Sequence, residues 1–332
     1  MNRKDVRHPL VVTPGEPAGI GCEITIKAWQ QRATPFCLIE SPDHVRRVAR
    51  LMGLEIPINV IDSPAEFDPD RPDLAIIAID WPAAPVFGAP DTANAQQVIN
   101  AVSDAAAWCR SGDAAGMVTN PIQKSALYEA GFSYPGHTEF LASLSTVAPG
   151  GPLMMLACDN LRVVPATIHI PVASVSGTLS QDLIIKQIRL LHHSLQKQFA
   201  IATPRIAVCG LNPHAGENGA IGTEERCIII PALDALRECG LNVSGPHPAD
   251  TLFHEDARKT YDVVVGMYHD QVLTPLKTID FYRGINITLG LDFIRTSPDH
   301  GTGLPIAGRG IARADSFLAA ITHAAALAST VA

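Results

Sequence analysis

The sequence is poor in charge and in aromatic rings: charged residues make up 17% of its 332 positions, and Phe, Trp and Tyr together 5%. With 47% of the residues apolar, a disordered polyelectrolyte is excluded and a sizeable core is expected. A basic excess is missing too. The formal charge of −8 argues against a nucleic-acid partner, because a phosphate backbone is held by a cationic surface. An acidic whole still leaves room for a basic pocket and an anionic small substrate. No apolar run approaches the roughly 20 residues of a membrane span, and the apolar part of MNRKDVRHPLVV is too short for a signal-peptide core. The seven cysteines are odd in number, irregularly spaced and without a C-x-x-C pair, which fits reduced thiols better than a disulfide framework. The expected setting is cytoplasmic, with no membrane and no nucleic acid among the partners.

Common chemical motifs are also absent. There is no G-x-G-x-x-G closing a first strand, no H-E-x-x-H and no EF-hand loop, so the Rossmann, zincin and calcium readings have no support. What is present is repeated alternation of short apolar strands with helical segments. Leu10–Thr13 runs into the glycine turn PGEPAGIG and a helix from about Glu23 to Arg32. Further strands are read at 74–79, 115–119, 163–170 and 205–211. Helices are read at 43–51, 92–109, 181–199, 224–239 and 315–329, with another opening at Asn120-Pro121 and carrying Lys124. This alternation predicts an α/β protein with a mostly parallel sheet covered by helices, and the length suffices for two lobes.

The richest stretch is 261–310. A β-branched run, Val263–Val265, delivers His269 and Asp270 at its carboxyl end, and Lys277, Asn286 and Arg295 follow at equal spacing with little helical periodicity. His169 and His214 fall, like His269, where a strand gives way to a loop. A lone histidine there is more often structural. Three in the same topological position make a candidate ligand set for a catalytic divalent metal such as Zn²⁺ or Co²⁺. Lys277 and Arg295 are the cations best placed to hold an anion, and Asn286 can orient a hydroxyl or amino group. His137 and Thr138, in GFSYPGHTEF, stand at the start of a helix, where they read either as a phosphate site or as an ordinary cap by Thr138.

Taken in order, TPGEPAGIG (13–21), GHTEF (136–140), CGLNPHAGE (209–217), PADTLF (248–253), MYHDQ (267–271), RGINITLGLDFIRTSPDHGT (283–302) and AGRG (307–310) resemble the 4-hydroxythreonine-4-phosphate dehydrogenase (PdxA) family over nearly the whole chain. One departure is Cys22, where the family pattern usually has proline after the glycine turn.

The resemblance implies two α/β/α lobes of the isocitrate/isopropylmalate dehydrogenase-like fold, with the active site in the cleft between them. One lobe would be 1–130 plus 286–332, on the cofactor side. The other, 131–285, would carry the metal ligands and dimer contacts. It implies a homodimer with shared sites, NAD or NADP, and one divalent ion (Zn, Mg or Co) per site. By motif, His169, His214 and His269 would hold the metal, with ligands contributed by both subunits. His137, Thr138, Lys277, Asn286 and Arg295 would bind a phosphorylated amino acid. His300, Gly301, Thr302, Gly308 and Gly310 would line the nucleotide. Lys277, Asp250 and Asp270 are unranked candidates for the catalytic base.

The implied reaction is oxidation of 4-phosphooxy-L-threonine at C3 followed by decarboxylation, in pyridoxal 5′-phosphate biosynthesis. A paralogous dehydrogenase of D-threonate or erythronate 4-phosphate stands as the nearest alternative. A metal-dependent hydrolase or acyltransferase on a similar scaffold is the more remote one.

Overall fold

The computed structural model describes residues 8–32, 34–134, 136–146 and 151–331. The chain begins with β1 (Leu10–Thr13), α1 (Gly21–Gln31), β2 (Phe36–Glu40), α2 (Pro42–Leu51), β3 (Ile58–Ile61) and β4 (Leu74–Ala78). It continues with α3 (Ala95–Ser111), β5 (Gly116–Thr119), α4 (Lys124–Glu129) and α5 (His137–Ser143). Next come β6 (Leu153–Cys158), β7 (Leu161–Thr167), α6 (Val172–Thr178), α7 (Gln181–Phe199), β8 (Ile206–Cys209) and α8 (Ile230–Glu238). The last elements are β9 (Val243–His247), α9 (Glu255–Arg258), β10 (Val263–Tyr268), α10 (His269–Ile279), β11 (Ile285–Leu289), β12 (Arg295–Pro298) and α11 (Asp315–Val331).

Two compact units result. One comprises the chain up to Thr146 together with Leu291–Thr330, the other Val147–Gly290. In the first unit the strands lie in the order β3-β4-β2-β1-β5-β12, all parallel. β1 and β2 are buried at every residue and apolar except at their last positions, Thr13 and Glu40, because helices cover both faces and leave no polar side for alternation to mark. In the second unit the order is β11-β6-β7-β10-β8-β9. There β7, β10, β8 and β9 are parallel, while β6 pairs antiparallel with both β11 and β7.

Helices read from periodicity lie close to those observed. Ser180 caps α7 as expected, its hydroxyl accepting from the Leu183 amide at 3.2 Å. Three places differ. The segment after β10 is α10, with Val272, Leu273 and Leu276 buried on one face; Pro275 inside it breaks the pattern that would have announced a helix. The helix carrying Lys124 begins at that residue rather than at Asn120-Pro121. The helix expected at 224–239 opens with a π-helical turn, Glu225–Ile229.

In the first unit Asn120 fastens the turn after β1. Its amide donates to the Thr13 carbonyl at 3.0 Å and to Thr25 Oγ1 at 2.9 Å, and it is fully buried. Gly15 and Gly21 are required beside it: a Cβ on Gly15, where φ is +69°, would stand 2.7 Å from Asn120 Cβ, and one on Gly21 would stand 2.7 Å from the Pro14 carbonyl. Asn120→Leu keeps the bulk but orphans both acceptors, so it is expected to lower stability by about 2–4 kcal/mol. Urea unfolding should show the lower midpoint without a change in slope.

Candidate active site

In the second unit, parallel register sets the positions of the three imidazoles. Tyr268 at the end of β10 lies opposite Thr167 at the end of β7, and Val265 lies opposite Val208 in β8. The segments after β7, β10 and β8 therefore leave one edge, carrying His169, His269 (the first residue of α10) and His214. Thr167 Oγ1 donates to the Met267 carbonyl at 2.8 Å and locks the first pair of ends together. Gln271 locks the second: its Oε1 accepts from the Met267 amide at 2.7 Å, and its Nε2 donates to the Gly210 carbonyl at 2.8 Å. Nothing in the sequence pattern singled out Gln271.

His169 and His269 face each other with ring centroids 5.8 Å apart. His269 Nδ1 lies 2.7 Å from Asp270 Oδ1, and His214 Nδ1 lies 3.3 Å from Glu217 Oε2. A carboxylate on Nδ1 holds the proton there and leaves Nε2 free as a lone-pair donor, the arrangement found behind metal-ligating histidines. The donor chemistry thus fits a divalent cation. The three imidazoles do not by themselves form a closed cluster. Among the described residues, the one group of three or more donor side chains mutually within 4.8 Å is Cys22, Glu40 and His44, in the first unit.

His214 sits at the start of an unusual turn. From His214 to Asn218 every φ is positive, between 43° and 81°, and four of these five residues are not glycine. Each left-handed non-glycine residue costs about 1–2 kcal/mol, so the turn persists only because its surroundings hold it. The buried carboxylate of Glu225 does much of that. It accepts from the Asn212 amide at 2.7 Å and from Asn212 Nδ2 at 3.0 Å, and it lies so close to Gly216 that no side chain fits there.

A cavity of about 840 Å³ opens beside this turn, lined by His214, Asp250, Phe253, Tyr268, Asp270 and Gln271 among others. Asp250 and Asp270 both face it and both are exposed. Lys277, half-buried on α10, places Nζ 5.4 Å from the centre of the Phe281 ring. Asn286 on β11 is half-buried, and its Oδ1 is sealed from solvent without a hydrogen-bond partner.

The first unit holds the other site residues. Arg295 on β12 is 4% exposed. Its Nε and Nη2 donate to Thr119 Oγ1 at 3.2 and 2.7 Å, and its Nη2 lies 3.5 Å from His137 Nδ1. Burial pushes the guanidinium down to about 10, which still leaves it cationic at neutral pH. His137 is held well below the ordinary imidazole range by burial, then by the Arg295 and Lys124 charges. The ring is therefore neutral, and with Nδ1 accepting from Arg295 its proton resides on Nε2. That nitrogen is sealed from solvent and has no partner, a donor awaiting an acceptor.

Thr138 does not cap α5; the N-cap is Gly136, and Thr138 lies within the first turn. Since α5 has only seven residues, its dipole is small, and an anion placed there would have to be held by side chains. Lys124 belongs to this group, because a Cβ on Gly136 would stand 3.4 Å from its Nζ.

The glycine-rich segment is divided in its use. Gly308, with φ +74°, lies against the Phe87 ring, where a Cβ would stand 2.7 Å away. Gly310, at φ +70°, has only Met52 within reach. Gly301 faces open space beside exposed His300, and buried Thr302 donates to Gln123 Oε1 at 3.2 Å while its carbonyl accepts from the Ile20 amide. An open glycine next to an exposed imidazole fits the close approach of a nucleotide.

A family model described as pyridoxal phosphate biosynthetic protein PdxA matches residues 31–324. A 4-hydroxythreonine-4-phosphate dehydrogenase of Caulobacter vibrioides is 47% identical over 330 residues, covering 97% of this chain and 98% of that protein. One from Methylorubrum populi is 45% identical, with 97% and 95% covered. The crystal structure of the Klebsiella pneumoniae 4-hydroxythreonine-4-phosphate dehydrogenase superposes with a TM-score of 0.89 at 38% identity, covering 97% of this chain and 99% of that one.

The depressed proton affinity of His137 has a consequence for stability. Above an ordinary imidazole pKa of 6.5 the ring is neutral whether folded or not. Below it only the unfolded chain takes up the proton, so stability falls as pH drops through that value. His137→Gln is expected to flatten this part of the curve, as thermal melts from about pH 8 to about pH 5 will show.

Proposed function

The chain belongs to the PdxA family of pyridoxal phosphate biosynthetic proteins, and from that premise we propose that it oxidises 4-phosphooxy-L-threonine at C3 with NAD⁺ or NADP⁺. The product, 2-amino-3-oxo-4-phosphooxybutanoate, is a 3-oxo acid that loses CO₂ to give 3-amino-2-oxopropyl phosphate. The observation that carries this reading is three imidazoles leaving one edge of a parallel sheet, two of them with a carboxylate on Nδ1, in a chain whose full-length relatives bear that enzyme name.

His169, His214 and His269 would hold the divalent cation (Zn²⁺, Mg²⁺ or Co²⁺), shared between the subunits of a homodimer. The open spacing of these rings within one chain supports the sharing. So do the large apolar side chains left exposed on the same unit, Val172 at 74% and Phe281 at 66%. The cation would supply Lewis acidity at the C3 oxygen, and the nicotinamide would supply a hydride acceptor.

Everything else falls to side chains. Arg295, with its guanidinium oriented by Thr119, and the Nε2–H of His137 bind the anionic groups of the substrate, with Thr138 beside them. Lys277 supplies a further cation, and the unpartnered Oδ1 of Asn286 accepts from the C2 ammonium. His300, Gly301 and Thr302 contact the nucleotide. Gly308 and Gly310 shape the loop behind them.

Asp270 is occupied by His269, so its role is to position that ring. Asp250, free in the same cavity, takes the C3 hydroxyl proton. After CO₂ has left, C2 must gain a proton, and Lys277 is the acid assigned to it.

Purified protein supplied with divalent metal should form reduced nicotinamide with 4-phosphooxy-L-threonine and far less with D-erythronate 4-phosphate. Reduction with the sugar acid alone would overturn the assignment. His214→Ala should abolish turnover and lower bound metal while the far-ultraviolet spectrum stays unchanged. Asp270→Asn is expected to weaken metal binding about 10–100-fold in a competition titration. Asp250→Asn should instead lower kcat by about 10²–10⁴ at unchanged metal affinity.

A further inference from the structure

At the carboxyl end of β2, in the first unit, side chains from three elements turn toward one point. Cys22 comes from the first turn of α1, Glu40 is the last residue of β2, and His44 lies in the first turn of α2. One donor atom from each lies within 4.8 Å of the other two. All three are interior, with 5%, 0% and 4% of their surfaces exposed. Such groups are normally paired when buried. Glu40 Oε1 is, accepting from Trp81 Nε1 at 2.6 Å and the Ser41 amide at 2.8 Å. Its Oε2 has no hydrogen-bond partner, and neither ring nitrogen of His44 has one.

We propose that Cys22, Glu40 and His44 form a site for a divalent transition-metal ion of the zinc class. The donor set is a thiolate, a carboxylate and a neutral imidazole, a combination zinc and cobalt accept readily. Two negative charges against a divalent cation leave the assembly neutral, which is what a dry interior requires. Burial alone acts the other way. It pushes the Cys22 thiol up, pushes Glu40 up to about 8 and brings His44 down to about 4, so no two of them form an ion pair.

Outer contacts of the expected kind are in place. Trp81 and Ser41 fix one carboxylate oxygen and point the other inward, while the Phe87 ring, 6.0 Å from that of His44, closes the apolar side. Three protein ligands leave a fourth position for water. The ion would tie the start of α1 to β2 and α2, beneath the ring on which Gly308 rests.

The test uses cobalt as the probe. Metal-stripped wild-type protein titrated with Co²⁺ is expected to develop a thiolate-to-cobalt charge-transfer band in the near ultraviolet. The three histidines of the other unit cannot give this band, since they offer no sulfur. Cys22→Ser should lose the band, and His214→Ala should keep it. A wild-type protein without the band, or a Cys22→Ser variant that retains it, overturns the site. Where Cys22→Ser does not fold, X-ray absorption at the zinc edge of the zinc-loaded wild type decides. Sulfur at about 2.3 Å alongside nitrogen and oxygen supports the site, and a shell of nitrogen and oxygen alone overturns it.

Discussion

Parallel pairing of β10 with β7 on one side and β8 on the other is the constraint on which the imidazole site depends. A parallel strand leaves its neighbours' carboxyl ends on one edge, so loops distant in sequence meet there. Register fixes the heights. A slip of one residue would turn every side chain of a strand to the other face and carry the loop with it. The ends are then fastened individually, by Thr167 to Met267 and by Gln271 to both Met267 and Gly210. Those bonds run between strand ends and backbone, so they hold the loops in place without using the imidazoles.

The turn after β8 shows how much local distortion this scaffold tolerates. A run of left-handed residues is unfavourable by itself, and of the five only Gly216 and, less well, Asn218 are suited to it. Burying the Glu225 carboxylate against the Asn212 amide makes relaxation to a right-handed path expensive, because the carboxylate would lose its donors in an apolar setting. The π-helical turn at Glu225–Ile229 belongs to the same arrangement, since it sets where that carboxylate enters the loop. Distortion is concentrated where a ligand-capable ring must face outward.

Much of this was legible in the residues. Apolar runs ending in turn formers marked half of the twelve strands, β1, β4, β5, β7, β8 and β10, and histidines stand at three of those ends. The family motifs added Asp250 and a cofactor role for the glycine-rich loop. Where the reading failed, the reasons are physical. Pro275 hid α10, because a proline inside a helix mimics a boundary. Gln271 and Glu225 act through hydrogen bonds to backbone groups, and no periodicity marks them. Cys22, Glu40 and His44 lie on three separate elements, so only the packing of α1 and α2 against β2 makes them neighbours. Of the two readings of Thr138, the helix cap fails because a cap is defined by backbone angles, which place it at Gly136.

The second unit is inserted into the first: the chain leaves one after Thr146 and returns at Leu291. Ribosomal synthesis therefore delivers β1 to β5 long before β12, and at about 5–20 residues per second the delay is of the order of ten seconds. Throughout that interval β5 has no partner on the side where β12 will pair, and Thr119 waits for the guanidinium that will occupy it. The nascent chain thus exposes an unpaired strand edge, a surface that invites wrong pairing. By the time Arg295 arrives, the entire inserted unit is already outside the peptidyl-transferase centre and free to fold. Maturation of the first unit is thereby tied to completion of the polypeptide, and a truncated product ending before β12 would lack the buried Arg295.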